Sequence, residues 1–150
     1  MAEYLGNNTQ NLGLNDSVQF TASIPCTKGN VFHEDGTGIF ILRGNTPNCF
    51  ARYDVTYTGN IAVPTGGAVT AIATAITVNG EIRPTSTAVF TPQAVNEYGQ
   101  VVSKATITVP RGCCFSVAAR YVDATTDDPA VTPTPTISAK NSSITITRTA

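Results

Sequence analysis

Along this chain, short stretches in which apolar and polar residues alternate are separated by turn-forming residues at roughly 8- to 15-residue intervals, the pattern of a β-sandwich or barrel. The alternation predicts strands over Ser17 to Ile24, Asn30 to His33, Gly38 to Leu42, Cys49 to Thr58, Ala68 to Val78, Glu81 to Arg83, Ser86 to Thr91, Val101 to Val109, Cys114 to Val122 and Ile137 to Arg148. Pro25, Glu34-Asp35-Gly36, Gly44 to Asn48, Gly59-Asn60 and Pro110-Arg111-Gly112 mark turns between them. Side chains alternate across a strand, so Phe50, Arg52, Asp54 and Thr56 share one face of the fourth run. Ala51, Tyr53, Val55 and Tyr57 share the other, apolar face.

Ala68 to Val78 is small or apolar on both faces, which places it centrally and at a packed interface. Asn79-Gly80 follows at once, a strong signal for a two-residue hairpin turn because both positions need positive φ. Strands apolar on both sides suit a domain that packs against copies of itself. Phe50, Tyr53, Val55, Tyr57, Ile72 and Ile76 are therefore expected in the core or at a trimer axis. Residues 1 to 16 are polar and rich in Asn and Gly, with Leu5, Leu12 and Leu14 as the large aliphatic residues; they are expected to form an extended arm that docks onto a larger assembly through Tyr4, Leu5, Leu12 and Leu14. Residues 17 to 150 then form the folded domain, and residues 123 to 136, rich in Thr, Pro and Asp, an exposed loop.

Composition supports an all-β reading. Thr (24), Val (14) and Ile (11) make up about a third of the 150 residues, whereas Leu occurs four times, Met once and Trp never. β-branched side chains fit a pleated sheet and lose freedom in a helix. Only 13% of residues are charged and the formal net charge is -1, which argues against nucleic-acid partners. No run of 18 apolar residues suggests a membrane span, and the N-terminus lacks the basic-then-apolar pattern of a secretory signal.

Candidate chemistry is sparse. With a single histidine, His33, and thinly spread carboxylates, no cooperating acid-base pair is evident and no enzyme activity or cofactor is expected. His33-Glu34-Asp35 reads as a solvated turn. Asp123, Asp127 and Asp128 lack the ligand alternation of a calcium loop. Cys26, Cys49, Cys113 and Cys114 do not have zinc-knuckle spacing, and two readings stay open: disulfides within or between subunits, or buried thiols. Arg43, Arg52 and Asp54 are expected to serve structure, the last two pairing with each other or across strands. Glu97 and Tyr98, with the loop aspartates, are the side chains available to a ligand in the loops at 92 to 100 and 123 to 136.

Four features come in a telling order: Gly36-Thr37-Gly38-Ile39-Phe40, the Phe/Tyr-rich strand from Cys49, the long Ala/Thr/Ile strand into Val78-Asn79-Gly80, and the terminal Ser143-Ile144-Thr145-Ile146-Thr147-Arg148. Together they resemble the jelly roll shared by tumour necrosis factor and the globular heads of complement collagen-like proteins. Leu12-Gly13-Leu14-Asn15-Asp16-Ser17-Val18-Gln19-Phe20 also resembles the C-terminal domain of the collagen-like glycoprotein of the Bacillus exosporium. The likeness spans residues 12 to 150 and departs from those proteins in lacking a Gly-X-Y region and in carrying vicinal cysteines. It implies an antiparallel β-sandwich of jelly-roll topology, assembled as a homotrimer. A looser similarity to small proteins of gut bacteria and their phages implies a virion component that assembles in the host cytoplasm without a signal peptide. The expectation is a structural decoration or head-fibre subunit on the capsid surface of a tailed phage, bound to the major capsid protein. The alternative is a head that binds carbohydrate or a receptor, on a phage fibre or a spore surface, with host glycan as its partner.

Overall fold

A computed structural model describes residues 2–6, 8–24, 31–33, 36–123 and 136–149. Among the described residues, twelve strands form two antiparallel sheets: β1 (Ala2–Gly6), β2 (Gln10–Gly13), β3 (Ala22–Ile24), β4 (Val31–His33), β5 (Phe40–Arg43), β6 (Phe50–Ala62), β7 (Ile72–Val78), β8 (Glu81–Ile82), β9 (Ala88–Phe90), β10 (Gly99–Pro110), β11 (Cys114–Val122) and β12 (Thr136–Arg148). One sheet runs β10-β6-β12-β1-β3, with β2 also on β12. The other runs β4-β5-β11-β7-β8, with β9 also on β7. Among the described residues the helical content is one 3-10 turn, Pro84–Ser86, and no helix is long and apolar enough to cross a membrane.

Period-two alternation packs the two sheets together. Val101, Ile107 and Val109 of β10 lie beside Tyr53, Val55 and Tyr57 of β6 and Ile144 and Ile146 of β12; all are buried. Facing them are Ile72 and Ile76 of β7, Phe40 and Leu42 of β5, and Val117, Ala119 and Tyr121 of β11. A polar bridge crosses the interior, from Thr74 Oγ1 to Ser103 Oγ at 3.0 Å, and Ser103 also donates to the Thr74 carbonyl at 3.2 Å. Each hydroxyl is satisfied, as burial requires. Asn79 (φ 52°) and Gly80 (φ 84°) make the expected β7–β8 turn.

Three expectations change. The segment expected as an arm is part of the sandwich: β1 lies between β12 and β3, with Tyr4 opposite Ile144, and β2 pairs with the start of β12. Tyr4 and Leu12 are buried in the core, Leu5 is half-buried and Leu14 is the exposed one, so Tyr4 and Leu12 are not free to dock elsewhere. Nor does the excess of two-faced apolar strands call for a partner. Tyr53, Val55, Tyr57, Ile72 and Ile76 are fully buried within one chain, as are Ala73 and Ala75 on the outer side of β7. The surface of 7549 Å² is close to the roughly 7300 Å² that size scaling gives a 15.7 kDa monomer. Phe50 departs as well: it is 39% exposed on the outer face of β6, where its own alternation puts it, with the Arg52 guanidinium 5.4 Å from its ring centre.

Candidate functional site

Two places concentrate chemistry. The first is a cleft where the chain crosses from one sheet to the other. The Gly13 amide donates to Asp16 Oδ2 at 2.9 Å and the Asp16 amide to the Gly13 carbonyl at 3.0 Å, with Asn15 at φ 69° between them. That turn delivers residues 15 to 18 to β11 through hydrogen bonds from Asn15 to the Tyr121 carbonyl, from Tyr121 to the Asp16 carbonyl, and from Val18 to the Ala119 carbonyl. Gln10 fixes the rim, its Nε2 donating to the Gln19 carbonyl at 2.6 Å and its Oε1 accepting the Gln19 amide at 2.8 Å. Gly38 closes the floor; a Cβ there would meet Ser17 Cβ at 2.8 Å and overlap the Val18 carbonyl. The cleft is about 630 Å³ and is lined by the polar side chains of Gln10, Asn11, Asp16, Ser17 and Thr37, with Ile39 as an exposed apolar patch.

The second is a group of three exposed, free thiols at one end of the sandwich. Cys49 precedes β6, while Cys113 and Cys114 follow the turn that links β10 to β11. The Arg111 amide donates to the Cys49 carbonyl at 3.0 Å, Cys113 to the Pro110 carbonyl at 3.0 Å, Gly44 to the Cys113 carbonyl at 2.9 Å and Gly112 to the Gly44 carbonyl at 3.1 Å. These cysteines are not the buried thiols that one reading expected. Cys26 lies outside the described residues.

His33 is not simply part of a solvated turn. Its ring stacks on Phe40 at 4.3 Å, contacts Tyr4 at 4.8 Å, and donates from Nε2 to the Thr37 carbonyl at 2.8 Å. Glu34, Asp35, Asp127 and Asp128 lie outside the described residues. Asp123 is described, and its carboxylate joins burial, the larger cause, in pushing the Tyr121 phenol up to about 12. Among the described residues no three His, Cys, Asp or Glu side chains are placed to hold a metal ion. Arg52 and Asp54 do not serve one another. Arg52 covers Phe50, and Asp54 accepts a hydrogen bond from Thr106 across to β10 at 2.9 Å. Arg43 lies 6.0 Å from the Phe32 ring centre.

The loop side chains expected to meet a ligand are engaged in structure. Glu97 Oε2 accepts the amides of Gln93 and Ala94 at 2.9 and 3.2 Å, and Lys140 Nζ sits 4.1 Å from the centre of the Tyr98 ring. The cleft went unseen in the sequence because its lining comes from three short polar segments that carry no motif.

No protein-family model matches the sequence, and no curated protein matches it. Solved structures do. The globular domain of zebrafish complement 1qA superposes with a TM-score of 0.61 at 10% identity, over 97% of this chain and 94% of that one. Eiger, a tumour necrosis factor from S. frugiperda, superposes with a TM-score of 0.65 at 12% identity, over 100% and 92%. The chain has the tumour necrosis factor-like jelly-roll fold. At these identities the likeness extends to the fold and no further. The C-terminal domain of EclA, a sugar-binding protein, overlaps more loosely, with a TM-score of 0.42 at 17% identity over 95% of this chain and 79% of that one.

Proposed function

We propose that this jelly roll is a non-enzymatic display module that works as a homotrimer on the surface of a particle, as a capsid decoration or head-fibre subunit of a tailed phage. The observation that carries the trimer is apolar surface on the outer faces of the two sheets. Val89 on β9 and Val102 on β10 are the most exposed of the large apolar side chains among the described residues, at 58% and 54%. β10 is the edge strand of its sheet and β9 borders the other, and the two adjoin where the Phe90 ring packs on Gly99. Apolar surface that meets a different surface of the next copy makes a heterologous contact, which closes into a ring when the rotation is one third of a turn. Three weak contacts to a lattice then act together by avidity, with the major capsid protein as the partner.

Light scattering on the purified chain tests the assembly: three times the 15.7 kDa chain mass is expected. Val89→Asp with Val102→Asp is expected to give a folded monomer, because neither side chain is in the core. A wild-type monomer at micromolar concentration defeats the trimer. Electron cryo-microscopy of purified particles tests the location, and density for the trimers on the capsid is the expected result.

The cleft favours a second reading, a head that binds carbohydrate. Its volume is in the range of small-ligand sites, and its amide, hydroxyl and carboxylate lining matches a neutral polyhydroxylated ligand. Binding to a panel of glycans that is lost on Asp16→Ala supports it.

A further inference from the structure

We infer that Cys49 and Cys113 are a disulfide-forming pair that staples the two sheets at one end of the sandwich, while Cys114 stays a free thiol. Their places in the backbone separate the three. Cys49 sits in the bend just before β6, where its carbonyl accepts the Arg111 amide at 3.0 Å. In β11, Phe115 packs on the core, so Cys114, the residue before it, points to the outside, whereas Cys113 lies in the turn that precedes the strand. Cys49 leads into one sheet and Cys113 into the other, and both belong to the loops where the Pro110–Cys113 turn carries the chain from one sheet to the other. The backbone bonds that join Cys49 to Arg111, Cys113 to Pro110, and Gly44 to both Gly112 and Cys113 hold them in one loop cluster. Both are exposed, so an oxidant reaches them.

The reaction is thiol–disulfide exchange with a small-molecule disulfide. The thiolate of one cysteine attacks a sulfur of the reagent, forming a mixed disulfide and expelling one small thiolate, which takes up the proton the cysteine lost. The second cysteine displaces the other small thiol in the same way. The two protein sulfurs are oxidised by two electrons in all, and the reagent is reduced to two thiols.

The test uses the full chain with Cys26→Ser, equilibrated with glutathione disulfide, alkylated and mapped by mass spectrometry without reduction. The expected result is a Cys49–Cys113 linked peptide, one remaining alkylatable thiol at Cys114, monomeric chains on non-reducing electrophoresis, and a higher melting temperature than the reduced protein. Cys114→Ser should leave the link intact, whereas Cys49→Ser and Cys113→Ser should each abolish it. A Cys113–Cys114 or Cys49–Cys114 link, disulfide-linked oligomers, or three unreacted thiols each overturns the inference. Mapping the unsubstituted pair decides the matter even if a serine variant folds poorly.

Discussion

The Tyr57 hydroxyl and Ser142 Oγ lie 3.1 Å apart in the core, each the other's hydrogen-bonding partner, 85 residues distant in sequence. A bulge brings them together. The pairing of β12 with β6 shifts between Lys140 and Ser143, with Asn141 at φ 51°, and this turns Ser142 inward over the phenol. Ser142→Ala leaves a buried hydroxyl without its partner and is expected to cost about 1–3 kcal/mol in urea unfolding. Tyr57→Phe with Ser142→Ala should cost less than the sum of the single changes, since it removes both halves of the pair.

Gly59 completes that contact. A Cβ there would lie 2.9 Å from Tyr57 Cζ and 3.0 Å from Ser142 Oγ, and would overlap the phenol oxygen itself. Gly59→Ala should therefore destabilise by about 1–3 kcal/mol through overpacking, although alanine is ordinarily the better strand residue. Gly59→Ala in a Tyr57→Phe background recovers part of the loss if the phenol oxygen is the obstacle.

Burial pushes the Tyr57 phenol up to about 12, against 10 for an unperturbed tyrosine, and the Ser142 hydrogen bond offsets only part of the rise. Below pH 10 the phenol is protonated in both folded and unfolded chains, and stability is unaffected. Between pH 10 and about 12 the unfolded chain loses this proton while the folded chain keeps it, so stability falls as pH rises, by roughly 2–3 kcal/mol at most from this residue. Denaturation midpoints measured from pH 9 to 11.5 should decline, and Tyr57→Phe should flatten the decline.

Alternation along β6 and β11 was legible because each strand is long and has one polar face; β11 begins and ends where the pattern puts it. The segment 1 to 16 reads as an arm because β1 and β2 within it are five and four residues long, too short for a periodic signal. Tyr4 and Leu12 each hold their place through pairing with β12, more than 120 residues away. β7 was recognised as apolar on both faces, but Ala73 and Ala75 are small enough to be buried within the chain, so its composition alone says nothing about partners. The loop cluster that holds Cys49 and Cys113 is made by backbone bonds between residues 44 to 49 and 110 to 113, which sequence spacing does not encode. Ile39 is a plain strand residue until the cleft beside it is seen.

Ser86 shows how a side chain can take the place of a strand. The partner of β7 on one edge changes from β9, opposite Ile72 to Thr74, to β8, opposite Thr77 and Val78, and Ile76 faces the interruption. Ser86 Oγ accepts the Ile76 amide at 2.9 Å and donates to the Arg83 carbonyl at 2.6 Å, while the Arg83 amide reaches the Ile76 carbonyl at 2.9 Å. Pro84 at the start of the 3-10 turn sets the geometry that aims Ser86 inward. Ser86→Ala strips the Ile76 amide of its acceptor in a site too buried for water to replace it easily, which should cost about 1–3 kcal/mol. The diagnostic measurement is hydrogen exchange: the Ile76 amide should exchange much faster in Ser86→Ala, while amides along β6 slow or quicken only with global stability. Unchanged protection at Ile76 would mean that the hydroxyl is not what holds the gap closed.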